Sequence, residues 1–205
     1  MATVVVGGHS RNVGKTSVVA GLIAALPEYN WIALKITQHG HGVCSLNGEP
    51  CHCATDDHSW AISEEKDLSG ESDTSRFLVA GAAKVWWVRT EQGRLAEAVP
   101  AIRHKLDEGK NVILESNSIL KFVRPDIYLT VLDPANADFK KSAQEFLDRA
   151  DAVIFHERTE SPPAWNGVSL KSVHGRPAFY IRPPAYITPE IVAFVKEKLT
   201  GSRNT

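Results

Sequence analysis

Thr3-Val4-Val5-Val6-Gly7-Gly8-His9-Ser10-Arg11-Asn12-Val13-Gly14-Lys15-Thr16 is the stretch that decides how this chain is read. Its first four residues are an uninterrupted β-branched run, as expected of a strand buried on both faces. A glycine-bearing turn follows. From Lys15 to Leu26 the apolar residues recur at helical spacing, and Pro27 marks the stop. A buried strand, a tight turn and a helix start in that order leave successive backbone N–H groups facing one concavity, with the positive end of the helix behind them. Such a turn is suited to a triphosphate. Lys15 is placed to reach the β- and γ-phosphates, and the Thr16 hydroxyl to ligate magnesium. The residues assigned to the ligand are Gly8, Ser10, Arg11, Asn12, Val13, Gly14, Lys15, Thr16 and Ser17. One position departs from the usual G-x-x-x-x-G-K-[ST]: His9 stands where the first glycine belongs, and Gly8 comes one residue early.

Outward from this loop, strand and helix patterns alternate. Strands are expected at 31–36, 84–89, 112–115, 127–132, 152–155 and 178–181, with helices at 74–80, 95–107 and 139–150. A last helix opens at Thr188-Pro189, a cap residue followed by proline in the first turn. The expected class is α/β, a mostly parallel sheet flanked by helices on both faces. With 205 residues the chain suits one domain over 1–205, interrupted at about 38–66 by a Cys/His-rich insert without periodicity.

Composition removes several function classes. Hydrophobic residues make up 43% and charged residues 23%, and the formal net charge is −1, so no global basic field draws in nucleic acid or an anionic membrane. No apolar run approaches the roughly 20 residues that span a bilayer. The N-terminus reads as a first strand, not a signal peptide, and the expected compartment is the cytoplasm. Trp86-Trp87 lies in a strand pattern and reads as core rather than as a stacking platform.

The spacing Gly8-x5-Gly14-Lys15-Thr16 resembles the loop of dethiobiotin synthetase and of the cobyrinic and cobyric acid amide synthetases. Lys35-Ile36-Thr37-Gln38-His39, and Asp73-Thr74-Ser75-Arg76-Phe77-Leu78-Val79-Ala80-Gly81-Ala82 ahead of a strand, resemble motifs of the molybdopterin-guanine dinucleotide biosynthesis protein B family. Val112-Ile113-Leu114-Glu115-Ser116 is similar to that family's Val-Glu-Gly strand end, although Ser116-Asn117 replaces the glycine. The resemblance covers residues 3 to about 120 and implies a P-loop NTPase fold of the SIMIBI type. It also implies a homodimer facing across the nucleotide site.

Elementary chemistry supports a role for each matched residue. A carboxylate at the C-terminal edge of a parallel strand stands at the ligand rim, so Glu115 could hold magnesium or orient a water. Lys35, read as the end of the second strand, could neutralise the γ-phosphate. Asp73 and Arg76 open a helix; Asp73 serves either as its N-cap or at the ligand. Lys15, Lys35 and Glu115 are the catalytic candidates. His156-Glu157-Arg158 stands where GTP-reading relatives carry Asn-Lys-x-Asp, so ATP and GTP both remain open. In the insert, His41-x2-Cys44-x6-Cys51-x-Cys53 offers three thiolates and an imidazole, the complement of a tetrahedral zinc site. Three functions follow: a magnesium-dependent NTPase acting with a partner enzyme, an ATP-dependent kinase or ligase with a small-molecule acceptor, and a metal-handling NTPase.

Overall fold

In the computed structural model, residues 2–39, 59–157, 165 and 167–201 are described. The order is β1 (Ala2–Gly8), α1 (Lys15–Ala25), β2 (Ile32–His39), β3 (Trp60–Glu64), α2 (Asp73–Val79), β4 (Lys84–Glu91), α3 (Leu95–Leu106), β5 (Asn111–Glu115), β6 (Ile127–Leu132), α4 (Lys141–Gln144), β7 (Ala152–His156), β8 (Ala178–Ile181) and α5 (Pro189–Gly201). The strands form one sheet in the order β3-β4-β2-β5-β1-β6-β7-β8. Every neighbouring pair is parallel except β3 with β4.

The β-branched run of β1 lies at the centre because both of its faces are apolar. Val4 and Val6 join one core cluster with Val18, Leu22 and Ile23 of α1, Phe77 of α2 and Ile191 and Val195 of α5. Val5 points the other way, into a cluster with Ala98, Ile102 and Leu106 of α3 and Tyr128 of β6. Helices therefore cover both faces, as the alternation of patterns implies. Each fully buried aliphatic side chain contributes about 1.5–3 kcal/mol of transfer free energy. Because β2, β5, β1 and β6 run parallel, their C-terminal ends share one edge, where ligands of open α/β sheets bind. Val6 pairs with Glu115 on one side, and Gly8 pairs with Val131 on the other.

Four local expectations need correction. The second strand does not end near Lys35: β2 runs on to His39, held by pairing with Thr90 and Glu91 of β4. The insert is shorter than 38–66, because Trp60–Glu64 forms the antiparallel edge strand β3. An edge strand needs one partner and one half-covered face, so five residues carried too little alternation to be read. The expected helix over 139–150 is reduced to α4 and a 3-10 turn at Leu147–Arg149, with Phe146, Leu147 and Ala150 all turned into the core. Asp73 is not the cap of α2. Ser72 is, and its side chain accepts from Ser75 N–H at 3.0 Å.

Candidate functional site

The turn after β1 needs left-handed backbone at two points, Asn12 with φ 56° and Gly14 with φ 86°. Asparagine tolerates that region, and glycine enters it freely. A Cβ on Gly14 would also lie 2.2 Å from Cε1 of Tyr186, so the position excludes a side chain twice over. Lys15 folds back over the loop, its Nζ donating to the Ser10 carbonyl at 2.6 Å. Burial pushes the Lys15 ammonium down to about 8, against the opposing pull of Glu115. Among the described residues this ammonium has one hydrogen bond, to a carbonyl, and feels Glu115 and Asp73 only through space, which suits it to an arriving phosphate.

His9, the departure from the usual loop, is a structural brace. It is 0% exposed, and its two ring nitrogens have different partners. Asp133 N–H donates to Nε2 at 3.0 Å, so Nδ1 carries the proton and donates to the Asp138 carbonyl at 2.7 Å. Burial lowers the imidazole pKa, and the hydrogen bond to Asp138 only partly offsets this, which keeps the ring neutral. Ser10 Oγ donates to Asp138 Oδ2 at 2.6 Å, and Lys140 N–H donates to the His9 carbonyl at 2.8 Å. The segment after β6 is thereby tied to the phosphate loop.

On the other side of β1, Thr16 Oγ1 donates to Glu115 Oε2 at 2.8 Å. Lys35 Nζ lies 2.9 Å from Glu115 Oε1, 3.4 Å from Thr16 Oγ1, and pairs with Asp73 Oδ2. Burial would raise the Asp73 pKa, but its hydrogen bond and attraction to the Lys35 ammonium hold it below the usual carboxylate value. Thus Thr16, Lys35, Asp73 and Glu115, drawn from four elements, meet at one point. Their oxygens are the hard donors that magnesium takes, and they already surround a cationic group, so the donor set fits that ion. Arg76 Nη2 donates to Ser17 Oγ at 2.9 Å, placing the remaining matched residue beside α1. Arg11 is exposed at the rim.

Sequence reasoning missed several residues that shape this site. Asn117 accepts from Gly8 N–H at 2.9 Å and donates to the Gly8 carbonyl at 2.8 Å. A Cβ on Gly7 would lie 2.1 Å from Asn117 Oδ1, and one on Gly8 would lie 2.8 Å from Cγ2 of Val13, so both positions are tight for a side chain. Asn117, one residue beyond the serine at that family's glycine position, thus holds the loop. Lys140 was also missed. Burial and then repulsion by Arg11 push its ammonium below the usual lysine value. His156, read only as a missing guanine signature, bonds through Nε2 to the Val13 carbonyl at 3.0 Å. Asn117 lies two residues past the end of β5 and His156 is the last residue of β7, and that position was their signal; Lys140, well past the end of β6, carried none. His41, Cys44, Cys51 and Cys53, the expected zinc set, lie outside the described residues.

No known family profile matches the sequence, and no curated protein does. Solved structures do show likeness. LpxK from Aquifex aeolicus in complex with ATP aligns over 88% of this chain at 18% identity, with a TM-score of 0.49. This chain covers 53% of that protein, about half its length. HypB from Helicobacter pylori in complex with nickel aligns over 99% of this chain and 87% of its own, at 14% identity and a TM-score of 0.48. A MobB homologue from Bacillus stearothermophilus aligns over 98% and 99%, at 17% identity and a TM-score of 0.44. Likeness at this level carries nothing about the site. The α/β P-loop fold rests on the strand order and on the geometry of the loop itself. Among the described residues no helix is long and apolar enough to cross a membrane.

Proposed function

We propose that this chain binds a nucleoside triphosphate together with magnesium and acts on the γ-phosphate. The observation that carries the reading is the meeting of Thr16, Lys35, Asp73 and Glu115 beside a phosphate loop whose lysine makes no ion pair among the described residues. Loop amides and Lys15 would hold the β- and γ-phosphates, while Thr16, Asp73 and Glu115 would supply oxygens to magnesium. The bound ion would neutralise phosphate charge and stabilise the transition state for transfer. Lys35, released from those carboxylates, would follow the charge that develops on the γ-phosphate. Glu115 would orient the attacking group, because a positioned carboxylate is what such a step needs.

Titration with ATP and with GTP, each with and without magnesium, tests the reading. Binding that requires Lys15 and strengthens with magnesium supports it; binding that ignores both would sink it. The finer reading is an NTPase that works with a partner enzyme, resembling the adaptor of molybdenum-cofactor guanylylation. Its support is the ordered set of motifs around Lys35, Asp73 and Glu115. Phosphate release without added acceptor is its expected signature. ADP formation only with a small-molecule acceptor would favour a kinase or ligase instead.

A further inference from the structure

One cavity beside the phosphate loop is not used by the triphosphate reading. It measures about 460 Å³ and is lined by Ser17, Gly21, Arg76, Pro184, Tyr186 and Ile187. Its walls come from α1, from α2 and from the segment between β8 and α5. That segment sits close to α1 because position 21 is glycine: a Cβ there would lie 2.3 Å from Cγ1 of Ile187. Tyr186 is fixed where it stands. Its ring fills the space over Gly14, and its centroid lies 5.9 Å from that of His156, which in turn bonds to the Val13 carbonyl.

The cavity therefore begins at Ser17, one residue beyond the Lys15-Thr16 pair that faces the distal phosphates. A linear triphosphate whose γ-end lies at Lys15 and Lys35 must direct its other end along the first turn of α1. At that end stands Arg76, whose guanidinium makes one side-chain hydrogen bond among the described residues, to Ser17 Oγ. Its remaining N–H donors suit a phosphate oxygen. Beyond it lie an aromatic ring and two apolar side chains, the mixture that takes a flat heterocycle and a sugar. The volume falls in the roughly 300–1,000 Å³ range of small-molecule sites.

We propose that this cavity is the nucleoside subsite, with Arg76 on the α-phosphate and the base against the face of Tyr186. The assignment rests on the phosphate-loop reading and adds to it the part of the ligand that the loop does not touch. Inorganic tripolyphosphate, which carries the phosphates without a nucleoside, separates the two. Wild-type protein should bind ATP at least tenfold more tightly than tripolyphosphate. Tyr186→Leu, which keeps bulk over Gly14 but removes the ring, should lower ATP affinity about tenfold and leave tripolyphosphate unchanged; base–aromatic stacking is worth that much. As a second measurement, irradiation of wild-type protein with 8-azido-ATP should label the segment containing Tyr186 and Ile187. Labelling confined to other segments, or equal losses for both ligands in Tyr186→Leu, would overturn the subsite. Failure of tripolyphosphate to bind the wild type would overturn the phosphate-loop reading instead.

Discussion

Lys35 Nζ and Glu115 Oε1 lie 2.9 Å apart on neighbouring strands whose Cα atoms are in register. Both side chains are largely sheltered, 15% and 7% exposed, so neither charge is well hydrated. Each partner compensates the desolvation of the other. Asp73 reaches the same ammonium from α2, so the lysine links a helix N-terminus to the sheet edge. A cation held by two carboxylates and close to a threonine hydroxyl draws those oxygens to one point.

Glu115→Gln is expected to keep the hydrogen bond from Thr16 while removing the charge opposite Lys35. Nucleotide affinity should change less than threefold, while turnover falls by tenfold or more, since a loss felt only in the transition state appears in kcat. Isothermal titration beside a phosphate-release assay measures both. Wild-type turnover in the variant would remove Glu115 from the chemistry.

Lys15 gives nucleotide binding a pH dependence of known sign. In the free protein its ammonium titrates at about 8, and a bound phosphate holds the proton on. Binding above that pH must take up a proton, so affinity should fall by about tenfold per pH unit above 8. Titrations at pH 7 and pH 9.5 should show the drop in the wild type. In Lys15→Ala the slope should vanish and the affinity at pH 7 be lower by tenfold or more.

His9 acts on stability in the acid direction. Its pKa is lowered in the folded protein, so below about 6.5 the unfolded chain binds a proton that the folded one refuses. The stability supplied by the neutral ring is complete above that value and is lost as pH falls. Urea unfolding between pH 7 and pH 5 should show a steeper decline for the wild type than for His9→Gln. Parallel slopes would mean that the ring takes its proton without disturbing Asp133.

Gly14→Ala should abolish nucleotide binding. The left-handed backbone disfavours any side chain there by about 1–3 kcal/mol, and the added carbon would collide with Tyr186. Asn117→Ala should instead lower stability, by about 1–3 kcal/mol for each group of Gly8 left without a partner. Chemical denaturation of the two variants, read with ATP titration, distinguishes a misshapen loop from a loosened one.

Residues whose role is set by their immediate neighbours were legible in the sequence. The strands 127–132 and 178–181 agree with the structure to the residue, and the phosphate turn is read from its glycine, lysine and threonine. Glu115 was placed at the rim because an apolar run ended on it. Partnerships across long separations were not legible. Nothing near Asn117 shows that its amide will meet Gly8 across 109 positions, nor that His156 will meet Val13 across 143. Trp60–Glu64 was missed for a different reason: an edge strand borrows its order from β4 and displays little of its own.

The Asn117 side chain behaves as one more rung between β5 and β1, an amide standing in for a peptide group past the last backbone pair. Gly8 is consequently clasped on that side while β6 holds the other. A loop shaped in this way before the ligand arrives has little ordering entropy left to lose on binding. Association should then proceed as a single concentration-dependent phase with no slow rearrangement behind it. Variants that weaken the contacts to phosphate should shorten the residence time of the nucleotide and leave the rate of its arrival almost unchanged.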